Sequence, residues 1–391
     1  MNYHISRRAA SLSPSLTLAI DAKAKQMKAE GQDVVGFGAG EPDFDTPQHI
    51  KDAAAKALAE GFTKYTPSSG IPELRQAIAD KFKRDNGLSY KPSQIIVSCG
   101  GKHSCYNVIL AICQAGDEVI IPAPYWLSYP EMVKLAEATP VILPTTDKTE
   151  FKVTPDQLRA AITPRTRLFL LNSPSNPTGS LYSREEIKAL GDICVENGAL
   201  IMSDEIYEKL VYDGAEHISV ASFSPAHYEH TIVVHGLAKA YSMTGWRLGY
   251  LAAPEPIAKA IDAIQSHSTS NPTSFAQKGA VAALNGPQDH LPNWLAEYAK
   301  RRGYAHAKLN SIPGISCVNA KGAFYLFPNI SKLGLKSTEF CAKLLEQEKV
   351  AAVPGIAFGA EDYIRISYAT SMANIEKGLE RIEKFARRLM K

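Results

Sequence analysis

"TIVVHGLAKAYSMTGWRLGYLAA", residues 231–253, is the stretch whose reading decides the fold. Thr231 to Val234 form a β-rich run with no polar alternation, as expected for a short strand covered on both faces. A glycine turn follows, and a second apolar run begins at Arg247. Between the runs stands Lys239, set among small, apolar and hydroxyl residues. Lysines normally occupy solvated faces. An apolar setting desolvates the ammonium and lowers its pKa, which suits a lysine that must act as a nucleophile. Position alone also allows a plain surface lysine at a helix start.

The same unit recurs along the chain: a short apolar run, a loop with Gly or Pro, then a helical pattern. "QIIVS" (94–98) precedes "CGGKHS", and "EVIIP" (118–122) precedes "APYWLSYPEM". "RLFLL" (167–171) precedes "NSPSNPTG", and "ALIM" (199–202) precedes "SDEIY". This alternation predicts an α/β fold with a mainly parallel central sheet. In "GIPELRQAIADKFKRDNGL", Pro72 suits a first helical turn, Leu74, Ile78 and Phe82 share a face, and Gly87 suits the stop. The stripe Ile375, Leu379, Ile382, Phe385 and Leu389 predicts an amphipathic C-terminal helix. "LNGPQDHLP" breaks the rhythm near residue 285; after it come a helix, strands in "GAFYLFP", "KVAAVPG" and "YIRISYA", and a last helix. The expected organisation is an N-terminal arm and part of a small domain over 1–45, a large domain over 46–285, and a smaller α+β domain over 286–391.

The 391 residues are 45% hydrophobic and 21% charged, with a net charge of +3. Charges of both signs are interspersed, so neither nucleic acid nor a membrane surface is an expected partner. No run is long enough to span a bilayer, and no long apolar core follows the basic pair near the N-terminus. Six cysteines are scattered without a CxxC pair, which fits a reducing cytoplasm. Several motifs fail. "GFGAGEPDF" lacks GxGxxG spacing, "GGKHS" lacks the first glycine of a P-loop, and neither HExxH nor GxSxG occurs. His227 and His230 sit in a Pro- and Ser-rich loop, so no metal site is expected.

The unusual polar residues share one address, just after a strand: Gly101–Lys102, Asn176, Asp204, Tyr207 and Lys239. In an open α/β sheet the carboxyl ends of the strands line a common crevice where ligands bind. Each residue also has a structural reading. Asp204 could cap a helix, Tyr207 could fill core, and Arg247 could pair with a structural carboxylate. Glycines at 100 and 101 let a helix N-terminus approach an anion. Trp126, in a Pro-flanked loop, reads equally as core or stacking platform. Arg365 alternates with apolar residues on a strand and, facing inward, needs a carboxylate from the protein or a ligand.

"GAGEPDFDTP", "NSPSNPTG", "SDEIYE", "GLAKAYSMTGWRLGY" and "YIRISYATS", in this order, resemble the class I (fold-type I) aminotransferases that use pyridoxal phosphate. The bacterial aspartate aminotransferase branch, cyanobacterial members included, is the most similar. The resemblance covers nearly the whole chain. It implies that Lys239 holds pyridoxal phosphate as a Schiff base and shuttles the proton, and that Asp204 keeps the pyridine nitrogen protonated. It implies that Asn176 and Tyr207 hydrogen-bond the phenolic oxygen, that Trp126 stacks on the ring, and that Arg247, Gly101 and Lys102 hold the phosphate. Arg365, with Gly40, Trp126 and Asn176, would bind the substrate. Tyr65 would reach the phosphate of a neighbouring subunit, which makes the expected assembly a homodimer with shared active sites.

The implied reaction moves the amino group of L-aspartate to 2-oxoglutarate in two half-reactions, with amino acids and 2-oxo acids as the small-molecule partners. An aminotransferase of the same family that prefers aromatic amino acids, prephenate or alanine is the alternative, and a non-catalytic protein on the same fold a remote one. Two departures stand out. Some relatives carry serine three residues before the lysine, where this chain has Gly236. The cup is then left to Lys102 or Ser104. The cations that bind a distal carboxylate in two branches are also missing: "QSHSTSNPTSFAQ" holds no arginine, and Ser13 replaces a lysine. That contact is left to Ser13, Ser15, Thr17 or His103.

Overall fold

The apolar runs of the sequence become strands stacked in one sheet. The computed structural model describes residues 3–391. Its strands are β1 (Val35–Gly36), β2 (Ile95–Ser98), β3 (Glu118–Ala123), β4 (Thr139–Pro144), β5 (Thr166–Asn172), β6 (Leu200–Asp204), β7 (Thr231–Gly236), β8 (Gly249–Ala252), β9 (Tyr325–Leu326), β10 (Val350–Ala351), β11 (Val353–Pro354) and β12 (Ile364–Ser367). Seven of them form the central sheet in the order β2-β8-β7-β6-β5-β3-β4. Only β8 runs against its neighbours, β2 and β7; every other pairing is parallel.

Both faces of the sheet are covered, which is why its strands lack polar alternation. Val119 and Ile121 of β3 pack with Val108 and Ile109 of the helix Gly101–Ile112. Ile120, between them, points the other way, onto Ile187 and Leu190 of the helix Arg184–Glu196. Each such buried side chain contributes roughly 1.5–3 kcal/mol. The helix Pro72–Asn86 starts at Pro72 and ends at Gly87, whose φ of 67° only glycine adopts freely. β4 was not among the expected strands. Its prolines at 140 and 144 disguise it, and they are tolerated because β4 is the sheet edge, where donors are not all needed.

A smaller domain follows. β9, β12 and β11 make an antiparallel sheet, backed by the helix Met372–Leu389 through Ile375, Leu379, Ile382 and Phe385. β1 pairs in parallel with β10, so Val35 and Phe37 enter this C-terminal core. The helix Ser337–Glu348 was not singled out in the sequence. Phe340, Cys341, Leu344 and Leu345 have helical spacing, but Lys336 provides no side-chain cap to mark the start.

Candidate active site

The carboxyl ends of the parallel strands open onto a cavity of about 490 Å³. Asp204 is the last residue of β6, Lys239 lies three residues past β7, and Trp126 three past β3. Arg365 enters from β12 of the smaller domain. Ten of the eleven residues expected at the site line this cavity: Gly40, Gly101, Lys102, Trp126, Asn176, Asp204, Tyr207, Lys239, Arg247 and Arg365. Tyr65 does not; it is 92% exposed on the surface.

Lys239 donates to the Gly40 carbonyl at 2.5 Å and pairs with no carboxylate among the described residues. Burial, then the Arg365 charge, pushes its pKa down to about 8. It is therefore part-neutral near neutral pH, as a base or nucleophile needs to be. Asp204 is buried, and burial raises its pKa; Tyr129 and the Ile206 amide oppose that rise. Its Oδ2 accepts from the Tyr129 hydroxyl at 2.6 Å and from Cys105 Sγ at 3.8 Å. A buried carboxylate that forms no ion pair among the described residues favours a protonated nitrogen in the cavity.

Arg365 is 2% exposed, and no carboxylate pairs with it among the described residues. Its Nη1 donates to Asn176 Oδ1 at 3.0 Å and its Nη2 to the Gly38 carbonyl at 2.7 Å, while Nε has no partner among the described residues. Its plane rests on Tyr325 at 4.6 Å and Phe358 at 5.1 Å. Such a guanidinium is a socket for a ligand carboxylate.

Across the cavity, the helix Gly101–Ile112 begins at Gly100 with no side-chain cap, and its first residues, Gly101 and Lys102, line the cavity. Arg247 lies over that turn: a Cβ at Gly100 would fall 2.6 Å from its Nη2. Arg247 itself sits at φ 55°, a strained value for a non-glycine residue and one that turns up at functional sites. Amides at a helix N-terminus plus a guanidinium form an anion cradle. Lys102 is exposed, with its ammonium 5.0 Å from the Trp126 ring centre.

Ser15 and Thr17 line the cavity, and Thr17 Oγ1 is buried there without a partner among the described residues. Ser13 and His103 do not line it: the Ser13 amide donates to Glu131, and His103 Nδ1 accepts from the Cys99 amide. Ser104 is buried outside the lining as well. At Gly236 a Cβ would meet Ile206 Cδ1 at 3.0 Å and Gly249 Cα at 3.2 Å, so the chain is closely packed where some relatives carry serine. Three contributors escaped the sequence reading. Tyr129 holds Asp204, Asn172 Oδ1 accepts from the Asn176 amide at 2.8 Å, and Tyr325 meets Tyr207 hydroxyl to hydroxyl at 2.9 Å. Tyr129 stands three residues from Trp126, which was a usable signal; Tyr325 depends on strand pairing.

Behind the site, Glu205, Glu208 and His217 bring ligand-type atoms within 4.8 Å of one another. These groups already have partners. Glu208 meets Lys81 at 2.5 Å, and Glu205 accepts from Ser203, Ser219 and His217.

The donor set fits pyridoxal phosphate. An uncapped helix start with Arg247 matches a phosphate, the buried Asp204 a pyridinium, and the unpaired Lys239 an aldehyde carbon. Comparison with known proteins agrees. The family described as aminotransferase class I and II matches residues 32–382. The aspartate aminotransferase of Geobacillus stearothermophilus is 53% identical over 97% of this chain and 98% of that protein. The aspartate/prephenate aminotransferase of Nitrosomonas europaea is 49% identical, covering 97% of this chain and 98% of its own. Among solved structures, the aspartate aminotransferase of Thermus thermophilus with maleate superposes with a TM-score of 0.94 at 44% identity, covering 98% of this chain and 100% of that one.

Proposed function

Because this chain belongs to the class I and II aminotransferase family and is a pyridoxal-phosphate-dependent aminotransferase, we propose that it moves the amino group of L-aspartate to 2-oxoglutarate. Oxaloacetate and L-glutamate are then the products. The observation that carries this reading is a buried Arg365 without a carboxylate partner, in the same cavity as a lysine whose pKa is pushed down to about 8.

Each residue has a task in this reading. Pyridoxal phosphate, when bound, supplies an aldehyde and an electron-withdrawing pyridine ring. Arg247 and the amides at Gly101 and Lys102 hold the phosphate, Trp126 stacks on the ring, and Asp204 keeps the ring nitrogen protonated. Asn176 and Tyr207 hydrogen-bond the phenolic oxygen. Arg365, with Asn176 and Gly40 beside it, orients the substrate α-carboxylate. That orientation presents the Cα proton to Lys239 Nζ, which removes it and later returns one. For a distal carboxylate, the lining cations besides Lys239, Arg247 and Arg365 are Lys102 and Lys25, the latter paired with Asp21 at 2.8 Å, and Ser15 and Thr17 line the cavity as well.

A second acceptor, the 2-oxo acid prephenate, is favoured by the relative named for both substrates. A panel of aspartate, phenylalanine and alanine as donors, each against 2-oxoglutarate and against prephenate as acceptor, tests the assignment. Faster turnover of phenylalanine than of aspartate would sink the aspartate reading.

The exposed Tyr65 supports a homodimer in which it reaches the partner's phosphate site. Measured mass in solution, and loss of cofactor affinity in Tyr65→Phe, test this. Residues 46–285 are assigned to the large domain, and 286–391 with the 1–45 arm to the small one. Among the described residues no helix is long and apolar enough to cross a membrane, and the six free thiols support a cytoplasmic location.

A further inference from the structure

Tyr325 touches three parts of the site. Pairing of β9 with β12 sets it opposite Ser367, two residues past Arg365. Its ring supports the Arg365 guanidinium at 4.6 Å. Its hydroxyl stands 2.9 Å from that of Tyr207, and a Cβ at Gly40 would lie 3.0 Å from the same oxygen. The side chain is buried, yet it lines the cavity.

Two hydroxyls in contact share one of their two protons. The direction of that bond decides whether the Tyr207 proton faces Tyr325 or the cavity. Tyr325 is the one stacked on a cation, and a neighbouring positive charge favours charge build-up on the donor oxygen. Burial raises both phenols, Tyr207 the more strongly; the Arg365 charge opposes the rise in both, and for Tyr325 it is the strongest influence after burial. The more acidic hydroxyl is the better donor.

We propose that Tyr325 is a positioning residue: it donates to Tyr207 and so turns the Tyr207 proton into the cavity, toward the phenolic oxygen of the cofactor. This rests on the role given to Tyr207 above. The same side chain thus serves both ends of the site, since its ring seats the arginine that takes the substrate carboxylate. Other charged groups facing the pair are Glu41, Asp204, Arg365 and Lys239, the last with its Nζ 5.8 Å from the Tyr207 ring centre. All of them remain in Tyr325→Phe, which also keeps the ring beneath Arg365.

The test loads the protein with pyridoxal phosphate and follows its visible absorbance against pH. Parent, Tyr325→Phe, Tyr207→Phe and the double variant are compared, without any amino donor. Loss of a neutral hydrogen bond predicts that Tyr325→Phe raises the midpoint by about half to one pH unit. In the Tyr207→Phe background the same change adds almost nothing, because Tyr325 acts through Tyr207. Replacing Tyr325 by 3-fluorotyrosine, a stronger donor, lowers the midpoint instead, a sign that a merely structural role does not produce. An unchanged midpoint in Tyr325→Phe, or an equal shift in both backgrounds, overturns the proposal. An unchanged midpoint in Tyr207→Phe removes the role of Tyr207 together with this one. The aspartate assignment can fail without touching either, since no donor is present.

Discussion

Replacing Arg365 with lysine keeps the charge and removes the fork. A guanidinium carries five N–H donors. One on Nη1 goes to Asn176 and one on Nη2 to Gly38, which leaves three for a ligand. A lysine ammonium has three donors on a single nitrogen. It cannot span two carboxylate oxygens while also holding Asn176 and Gly38. Loss of one charge-assisted hydrogen bond costs about 1.5–3 kcal/mol, so kcat/KM for L-aspartate in Arg365→Lys falls roughly 10- to 150-fold. Arg365→Ala removes the charge as well and falls by about 1000-fold or more. The assay is steady-state kinetics with 2-oxoglutarate as acceptor, run beside β-alanine, a donor that lacks the α-carboxylate. The slow β-alanine rate stays as it was in the parent. Retention of aspartate kcat/KM within about threefold, or a parallel fall with β-alanine, would refute the carboxylate-socket argument.

Lys239 makes cofactor-free protein pH-dependent. Its folded pKa, about 8, lies below the unfolded value of 10.5. Between these values the unfolded chain binds more protons, so stability rises as pH increases from about 8 to about 10.5. The gain is on the order of 1–3 kcal/mol; it is absent in Lys239→Met and so appears as the pH-dependent difference between parent and variant in denaturant melts at several pH values. Asp204 has the opposite sign. Its folded pKa is raised above the unfolded value, so the carboxylate's contribution is lost as pH rises through the folded pKa. Asp204→Asn therefore raises the melting temperature of cofactor-free protein at neutral pH while kcat falls by about 100-fold or more, read by calorimetry and turnover. Lys81 and Glu208, each 3% exposed, pair at 2.5 Å. Lys81→Met leaves the buried Glu208 carboxylate with only the longer lysine contact to Lys209 at 3.8 Å and destabilises by about 3–5 kcal/mol in urea unfolding.

Much of this molecule was legible without coordinates. Apolar runs of the type "TIVV" and "RLFLL" have no polar face, so they must be covered on both sides, and parallel α/β layering does that. Lys239, Asp204, Asn176 and Trp126 follow such runs within a few residues, so the strand-end rule was enough to gather them. β4 stayed hidden because two prolines mimic a loop, and only its edge position makes them tolerable.

By itself the sequence determined the layered fold, the strand-end address of the site and most of the polar side chains that line its cavity. These follow from local pattern, since periodicity and turn residues act over a few positions. Tertiary structure decided which of those side chains lack partners and which neighbours tune them. Arg365 could have faced a protein carboxylate, and only the packing of β12 against Asn176 and Gly38 leaves its charge open. Tyr325 reaches Tyr207 across 118 residues, and Tyr129 reaches Asp204 across 75. Contacts of that length depend on how the sheets and the two domains close on each other, and no local pattern in the chain encodes the distance between two hydroxyls.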